Sequence, residues 1–361
     1  MTLDVYNVTY TGGAPTAVTL SQSIPLPTAT SGTPPTSGNR YLTQSGINAT
    51  EGGLTLSLDG RYMALAGYNN IVGGVTTGTG NSGQRVVGLL DLSTGTVDTT
   101  TDYADTSTSN TIANAFTTDG TDIWTANSSG GIRYVTAGGS TSTALTGTSN
   151  ERRVYVYPTA SGNQIYASRS SSPIFGVETV GGAPAATSGT QSETSLPGMP
   201  TSNSASPYDF FFADANTLYI GDSSNNTSGT IRGGLEKWIY NGSSWTLAYN
   251  LLVNPTGTST RGLRSLTGMV DASGNVTLFG ATTDTAGGPN YLYGFADTLT
   301  NTSAANVIAN ELVDASTMTG GTGERWNLRG VALAIPVPEP ATLLLLLLGL
   351  VASSAITRRA R

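Results

Sequence analysis

A hairpin pattern recurs along the chain: a short apolar strand, a tight turn rich in Asp, Ser, Asn and Gly, and a second short strand that ends in small residues. Asp and Gly suit such turns because they accept the positive φ angles that tight connections require. Successive turns lie between about 42 and 60 residues apart, which is close to the length of a propeller blade. The five segments are Leu56 to Tyr68, Phe116 to Asn127, Val156 to Ser168, Phe210 to Asp222 and Gly268 to Thr282.

Second hairpins fall between these segments, at Val86 to Leu92, Gly131 to Thr136 and Leu235 to Leu247. Outside the C-terminal tail there is no helical periodicity. Many short, evenly spaced strands predict an all-β fold and favour a β-propeller. We expect six or seven blades, because the N-terminal strands and Val331 to Ile335 are left over to close the ring. A β-solenoid or tandem sandwich domains are the alternatives.

The composition excludes several kinds of chemistry. The chain has no histidine, no cysteine and a single lysine, Lys237. It therefore has no Ser-His-Asp or Cys-His triad, no zinc site of His or Cys and no disulfide framework. Its net charge of −7, with 11% charged residues, argues against nucleic acid as a partner, since phosphate binding needs clustered Lys or Arg. Carboxylates, hydroxyls, arginines and backbone groups remain.

Carboxylates are the first candidates for a site, because a glycosidase needs only two of them. The glutamates of the body are scattered and form no recognisable pair. They are Glu51, Glu151, Glu178, Glu193, Glu236, Glu311 and Glu324. We therefore predict structural or solvated roles for them, with no catalytic, cofactor-binding or metal-binding residue and no enzymatic activity.

A Thr-rich loop carries Asp98, Asp102 and Asp105, which could gather around calcium. The spacing and the closing Glu of an EF-hand are absent. We interpret this loop as an acidic surface segment and predict no cofactor.

Arginines are spread through different repeats, and in a propeller they could converge on the central channel as a site for an anion or a sugar acid. The alternative, which we favour, is that they pair with Asp residues at blade edges. These arginines are Arg152, Arg153, Arg261, Arg264, Arg325 and Arg329. For the tryptophans, core packing is favoured over stacking on sugar rings. They are Trp124, Trp238, Trp245 and Trp326.

The C-terminus carries three unlike elements in a fixed order. Val337, Pro338, Glu339 and Pro340 lead into an apolar run of 16 residues, Ala341 to Ile356. That length is close to the roughly 17 residues that a transmembrane helix needs. Arginines follow, namely Arg358, Arg359 and Arg361. The run predicts one transmembrane helix, and the positive-inside rule places the arginines in the cytoplasm and the preceding chain across the membrane.

This tail resembles the PEP-CTERM sorting signal of Gram-negative bacteria. The resemblance implies that an integral-membrane exosortase reads Pro338, Glu339 and Pro340 and cleaves near them, so that these are recognition elements for another enzyme. It divides the chain into an ectodomain, residues 1–335, and a sorting signal, residues 336–361. A simple C-terminal membrane anchor is the alternative. The ectodomain is similar, more weakly, to propeller-like domains of bacterial secreted and surface proteins, through the runs 206–214, 217–222 and 233–238.

The N-terminus differs from the pattern of exported precursors. Met1 to Leu20 alternates like a strand and contains no Lys or Arg, whereas a signal peptide opens with a basic region and an apolar stretch. We therefore expect a signal peptide upstream of Met1. A cytoplasmic, tail-anchored protein is the alternative, and it conflicts with the positive-inside rule.

These observations predict an exported protein, anchored in the inner membrane as a precursor and then located at the cell surface or outside the cell. The resemblance implies exosortase as a partner and a structural or binding role associated with exopolysaccharide in the extracellular matrix. One alternative is a propeller hydrolase or lyase that acts on a polysaccharide or phosphoester through carboxylates in its central channel. Another is a membrane-anchored periplasmic scaffold.

Overall fold

The computed structural model describes residues 1–45, 48, 50–74, 84–104, 111–148, 150–202, 205–224, 233–253, 262–282, 290–315 and 328–334. In these ranges the chain forms one N-terminal hairpin and five antiparallel sheets of four strands each. The hairpin consists of β1 (Thr2–Thr11) and β2 (Ala14–Pro25).

Each four-stranded sheet is a blade whose strands follow one another in sequence order. Blade 1 contains β3 (Leu54–Leu56), β4 (Tyr62–Tyr68), β5 (Arg85–Asp91) and β6 (Val97–Tyr103). Blade 2 contains β7 (Ile112–Thr117), β8 (Asp122–Asn127), β9 (Gly131–Thr136) and β10 (Thr143–Ala144). Blade 3 contains β11 (Glu151–Thr159), β12 (Gly162–Ser171), β13 (Ile174–Val180) and β14 (Glu193–Ser195). Blade 4 contains β15 (Pro207–Asp214), β16 (Thr217–Asp222), β17 (Gly234–Tyr240) and β18 (Trp245–Leu251). Blade 5 contains β19 (Ser265–Val270), β20 (Asn275–Ala281), β21 (Tyr291–Thr298) and β22 (Ile308–Asp314).

The first strands of neighbouring blades contact one another, from β3 to β7, β7 to β11, β11 to β15 and β15 to β19. These strands therefore lie innermost, around a common axis, and the later strands of each blade lie progressively outward. The chain is an all-β, five-bladed β-propeller.

The five repeated segments are confirmed as the first hairpins of the five blades, and the predicted second hairpins are confirmed as β5–β6, β9–β10 and β17–β18. The expected number of six or seven blades is wrong. The leftover N-terminal strands pair only with each other, and residues 328–334 contain no strand. A four-stranded closing blade therefore does not form within the described part of the chain.

The N-terminal hairpin instead packs between blades 5 and 1. Val8 and Val18 join an apolar cluster with residues of blade 5, and the Asn310 side chain donates to the Pro15 carbonyl at 2.8 Å. Near the other end of the hairpin, Leu3 packs against the core of blade 1, which includes Leu65. The hairpin thus covers apolar surface that a sixth blade would otherwise cover.

Residues 328–334, which we call the closing segment, complete this junction. Val331 and Leu333 pack into the cluster that holds Val8 and Val18. The Val331 amide donates to Ser265 Oγ at 2.8 Å, and the Arg329 guanidinium donates to the carbonyl of Ser45 at 2.9 Å. The closing segment therefore ties the start of blade 5 to the chain leading into blade 1.

Within the described ranges, no helix has the length and hydrophobicity of a membrane span. The predicted transmembrane run, 341–356, lies outside the described residues, as do the sorting-signal residues. The latter are Val337, Pro338, Glu339, Pro340, Arg358, Arg359 and Arg361.

Candidate functional site

The propeller axis is occupied by the side chain of Arg153, the third residue of β11. Its guanidinium donates to the carbonyls of Thr50 at 3.2 Å and Arg264 at 2.9 Å, which precede blades 1 and 5. It also lies 3.4 Å from the carboxylate of Asp209 in blade 4. A Cβ at Gly53 would lie 2.8 Å from Arg153 Nε, so a larger residue does not fit there. Arg153 is therefore a structural link between blades.

Asp209 has no oxygen left for chemistry. Oδ1 accepts from the Tyr155 hydroxyl at 2.7 Å and the Phe210 amide at 2.9 Å, and Oδ2 accepts from the Leu266 amide at 3.0 Å. Burial raises the pKa of Asp209, while the Arg153 guanidinium and these donors oppose that rise. Asp209 thus fixes the geometry of the axis, as Arg153 does.

Beside this link, Arg152 and Arg264 lie against the ring of Tyr208, and Arg329 lies near enough to interact electrostatically with Arg264 and Tyr208. We call these four residues the arginine cluster. The guanidinium of Arg152 lies 4.6 Å from the centroid of the Tyr208 ring and that of Arg264 lies 5.0 Å from it. Arg152 also donates to the Tyr208 hydroxyl at 2.9 Å. The residues lie at the entries to inner strands β11, β15 and β19 and in the closing segment, so the cluster lies at one end of the axis.

The positive charges of Arg152 and Arg264 are poorly compensated. Among the described residues, no carboxylate forms an ion pair with Arg152 or Arg264, and Arg152 Nε is buried without a hydrogen-bond partner. Burial lowers the pKa of Arg152 and of Arg329, and repulsion from Arg264 lowers both further. Two neighbouring arginines without an ion-pair partner, one of which has an unused donor, are suited to binding an anion, above all a planar carboxylate.

Glu51, which is buried just before blade 1, is a carboxylate that interacts electrostatically with Arg329 of the arginine cluster. Its oxygens accept from the Ser45 amide at 2.6 Å and the Tyr68 hydroxyl at 2.9 Å. Burial raises the pKa of Glu51 to about 7, although these donors and the nearby Arg329 and Arg85 act in the opposite direction. Near neutral pH, Glu51 therefore neutralises only part of the positive charge.

A second polar feature lies in blade 3, where the carboxylates of Glu151, Glu178 and Glu193 approach within 4.8 Å of one another. We call these three residues the acidic cluster. Burial and mutual repulsion raise the pKa of Glu151 well above its ordinary value and that of Glu178 to about 8. The expectation that the glutamates are scattered is wrong for these three. They are far apart in sequence, and no sequence motif brings them together.

The remaining glutamates do not assemble in this way. Glu236 is buried beside Asp222 and accepts from the Trp238 indole at 2.8 Å. Glu311 is exposed. Glu324 lies outside the described residues.

Both expectations for the arginines are met in part. Arg153 pairs with an Asp residue, as the favoured alternative predicts, but this residue, Asp209, lies at the axis. Arg152, Arg264 and Arg329 lie close to one another at one end of the axis, while their predicted binding of an anion stays a prediction. Arg261 and Arg325 lie outside the described residues. The sequence does not show that the adjacent Arg152 and Arg153 have different roles, because a β-bulge at this position alters their orientation.

The expectation of an acidic surface loop is wrong where this segment is described, since Asp98 and Asp102 lie in strand β6 and Asp102 is buried. These two carboxylates belong to no cation-binding group among the described residues. Asp102 is buried and forms a bidentate pair with Arg40, with N to O distances of 3.0 and 3.1 Å. Asp98 accepts from the Thr100 amide at 2.7 Å. Asp105 lies outside the described residues.

Core packing is confirmed for three of the tryptophans, since Trp124, Trp238 and Trp245 are all buried. Trp326 lies outside the described residues.

A wide cavity of about 760 Å³ lies at the opposite end of β19 from Arg264, between the N-terminal hairpin and blade 5. Its lining includes Tyr10, Met269, Asp271 and Ile308. No ionic cluster comparable to the arginine cluster lies among its lining residues.

Residues 336–361 match the PEP-CTERM protein-sorting motif. The chain therefore combines a five-bladed propeller with a PEP-CTERM tail, and that motif implies an exported, membrane-transiting precursor that exosortase processes. No curated protein matches the chain.

The chain has low similarity to three solved structures. The Dos1 propeller shares 12% identity at a TM-score of 0.40, covering 73% of this chain, and this chain spans 62% of that one. A chain of the mitotic checkpoint complex shares 12% identity at a TM-score of 0.42, covering 82% of this chain and 88% of that one. The polysaccharide lyase Uly1 shares 12% identity at a TM-score of 0.37, covering 75% of this chain and 74% of that one. No activity is transferred from them.

Proposed function

We propose that this protein is a cell-surface or extracellular-matrix binding protein, exported and sorted through its PEP-CTERM tail, whose propeller binds a carboxylated polysaccharide at the arginine cluster. The observation that carries the proposal is the convergence of Arg152 and Arg264 on Tyr208, where no carboxylate of the described residues forms an ion pair with either of them. This local positive charge lies in a chain whose net charge is −7.

Carboxylated sugars fit this arrangement better than nucleic acid does. The net negative charge disfavours duplex nucleic acid, which carries one charge per about 1.7 Å of its length and would meet the stronger repulsion. An acidic polysaccharide presents one carboxylate per sugar at most, and a single carboxylate can receive paired donors from one guanidinium. An exported protein would meet such polymers at the cell surface, and the sorting motif implies export.

Binding is favoured over hydrolysis because the axial carboxylate, Asp209, accepts from four donors. In the described part of the chain, no second carboxylate accompanies Glu51. Glycosidases of the usual kind need a pair of carboxyl groups about 5 to 10 Å apart across the scissile bond. The three neighbouring carboxylates of the acidic cluster lie within blade 3, away from the axis.

The test is titration of the full chain with polygalacturonate and, as a neutral control, dextran. We expect binding of polygalacturonate only, and about tenfold weaker binding for each of Arg152→Gln and Arg264→Gln, since a hydrogen bond to a charged group contributes about 1.5 to 3 kcal/mol. Arg61→Gln is the matched control, because Arg61 is half exposed and paired with Asp91. It removes the same charge and should leave binding unchanged.

Equal binding by wild type, Arg152→Gln and Arg264→Gln would contradict the proposal, as would no binding at all. The same samples should be followed by ultraviolet absorbance for unsaturated sugar products. Their accumulation would favour the lyase alternative over a binding role.

A further inference from the structure

The strand register places the acidic cluster and Arg169 on one face of blade 3. Glu151 lies directly across from Arg169, and Glu178 lies across from Ala167, two residues along the same strand as Arg169. Glu193 lies across from Val180, two residues beyond Glu178. Residues directly opposite each other, and residues two apart along a strand, point to the same side of a sheet.

This face is turned toward blade 2. On the opposite face of blade 3, the Ser168 hydroxyl contacts the Tyr208 carbonyl of blade 4. On the side of the cluster, the Gln191 amide donates to the Leu145 carbonyl at 2.7 Å, and Leu145 follows the last strand of blade 2. Thr148, in the connection between blades 2 and 3, contacts both Glu151 and Glu193 through its hydroxyl. The acidic cluster thus lies at the junction of two blades.

Half of the carboxylate oxygens in the cluster have no hydrogen-bond partner. Glu151 and Glu178 are each 0% exposed, and Glu151 Oε2 and both oxygens of Glu178 are unpartnered. The Thr148 hydroxyl has one proton, so it can satisfy only one of the two carboxylates that it contacts. Buried oxygens without donors are costly, so their presence indicates a missing positive partner.

The charge of the cluster indicates the valence of that partner. Arg169 lies 3.2 Å from Glu193 and 3.8 Å from Glu151, so its single positive charge offsets one of three carboxylates. Its other donors go to Ser171 Oγ at 3.0 Å and the Ser172 carbonyl at 3.3 Å. When all three carboxyl groups are ionised, as cation ligands must be, two negative charges are left, which one divalent cation neutralises.

We propose that Glu151, Glu178 and Glu193 bind a calcium ion at the junction of blades 2 and 3, with the Thr148 hydroxyl as a further oxygen ligand. An all-oxygen set of carboxylates and a hydroxyl is typical of hard cations. Calcium accepts six to eight oxygens in flexible geometry, whereas magnesium keeps several of its own waters, which a buried site crowded by Arg169 does not readily hold. Glu193, with 11% of its side chain exposed, provides the route of entry.

The experiment compares thermal unfolding and calorimetric titration of the full chain in EDTA and in CaCl₂. Extracellular calcium modules have dissociation constants of about 0.1 to 1 mM, so about 5 mM CaCl₂ suffices. We expect one ion per chain and a rise in Tm of about 2 to 4 °C. Glu178→Gln should abolish both effects, and in EDTA it should be at least as stable as wild type because it relieves repulsion between buried carboxylates.

Glu236→Gln is the matched control. Like Glu178, Glu236 is a buried glutamate on the third strand of its blade. One of its oxygens is unpartnered, but among the described residues Asp222 is the single carboxylate beside it. This variant should retain the full calcium response. The proposal is overturned if calcium neither binds to nor stabilises the wild type, if Glu178→Gln responds like wild type, or if magnesium at the same concentration stabilises as much as calcium does.

Discussion

Arg153 of blade 3 and Asp209 of blade 4 form an ion pair at the centre of the propeller, with an N to O distance of 3.4 Å and at most 1% of either side chain exposed. The pair is supported by the Tyr155 hydroxyl on one side and by the carbonyls of Thr50 and Arg264 on the other. A propeller with five blades has a narrow axis, and one arginine is enough to bridge it.

Replacing Arg153 by Met should destabilise the protein by about 3 to 5 kcal/mol, because Asp209 is then left charged and buried without its partner. Urea unfolding measures this change. Arg61→Met, which removes the half-exposed partner of Asp91, is the control and should have a small effect, because Ser93 still donates two hydrogen bonds to Asp91. Similar losses for the two variants would contradict a special role for the axial pair.

Glu51 should make stability depend on pH. Its pKa is raised from 4.5 to about 7 in the folded protein, so between these values the folded chain holds a proton that the unfolded chain has released. Stability from this group is therefore greatest below pH 4.5 and falls as pH rises through about 7, by about 3 kcal/mol in total. Tyr68, Arg85 and Arg329 are the groups that face Glu51.

The measurement for Glu51 is the urea midpoint of wild type and Glu51→Gln at pH 5 and pH 8. The variant should lose less stability than wild type between these pH values. Glu311→Gln, at an exposed position, serves as the control and should follow the wild type. Parallel curves for all three proteins would contradict a buried, proton-holding Glu51.

The single lysine should resist amine-reactive labels in the folded protein. Lys237 Nζ donates to the carbonyls of Thr298 at 2.6 Å and Asn301 at 2.8 Å and lies 3.2 Å from Asp297. Its side chain is 0% exposed. Mass spectrometry after labelling with an N-hydroxysuccinimide ester should find Lys237 unmodified in native protein and modified in urea. Rapid native labelling of Lys237 would contradict its burial.

Docking of the N-terminal hairpin should depend on Gly294 of blade 5. A Cβ there would lie 2.6 Å from Pro15 Cγ and 2.9 Å from Leu312 Cδ1. Gly294→Val should therefore displace the hairpin, lower Tm by several degrees and expose residues 1–25 to limited proteolysis. Gly147→Val is the control, because no atom lies within 4 Å of a Cβ at that glycine. Equal protease resistance of the two variants would contradict the predicted clash.

Local features of the fold were predictable because they depend on adjacent residues. The turns at Asp59-Gly60 and Asp119-Gly120 have φ angles of +77° and +86° at their glycines, as their sequence indicates. The number of blades was not predictable in this way. Met1 to Leu20 has the alternation of a strand, but whether a hairpin recruits two further strands depends on distant neighbours such as Asn310.

The arginine cluster and the acidic cluster differ in how far the sequence alone predicts them. Arginines near the starts of inner strands could be placed at the axis from the repeat alone, so an anion site was among the alternatives. The acidic cluster needed the pairing register of β11 to β14, and the sequence separation of Glu151 and Glu193 hides that relationship. Burial, which distinguishes Glu178 from the exposed Glu311, also follows only from how the blades pack.

The junction between blade 5 and blade 1 determines when the ring can be completed. Asn310 donates a hydrogen bond to Pro15 across a sequence separation of 295 residues, and Arg329 donates one to Ser45 across 284 residues. Contacts between such distant positions form slowly, because a long loop must close before they contribute. Blades 1 to 5 can therefore form one after another as the chain emerges, but the ring can close only after the closing segment has been synthesised, with residues 336–361 immediately behind it.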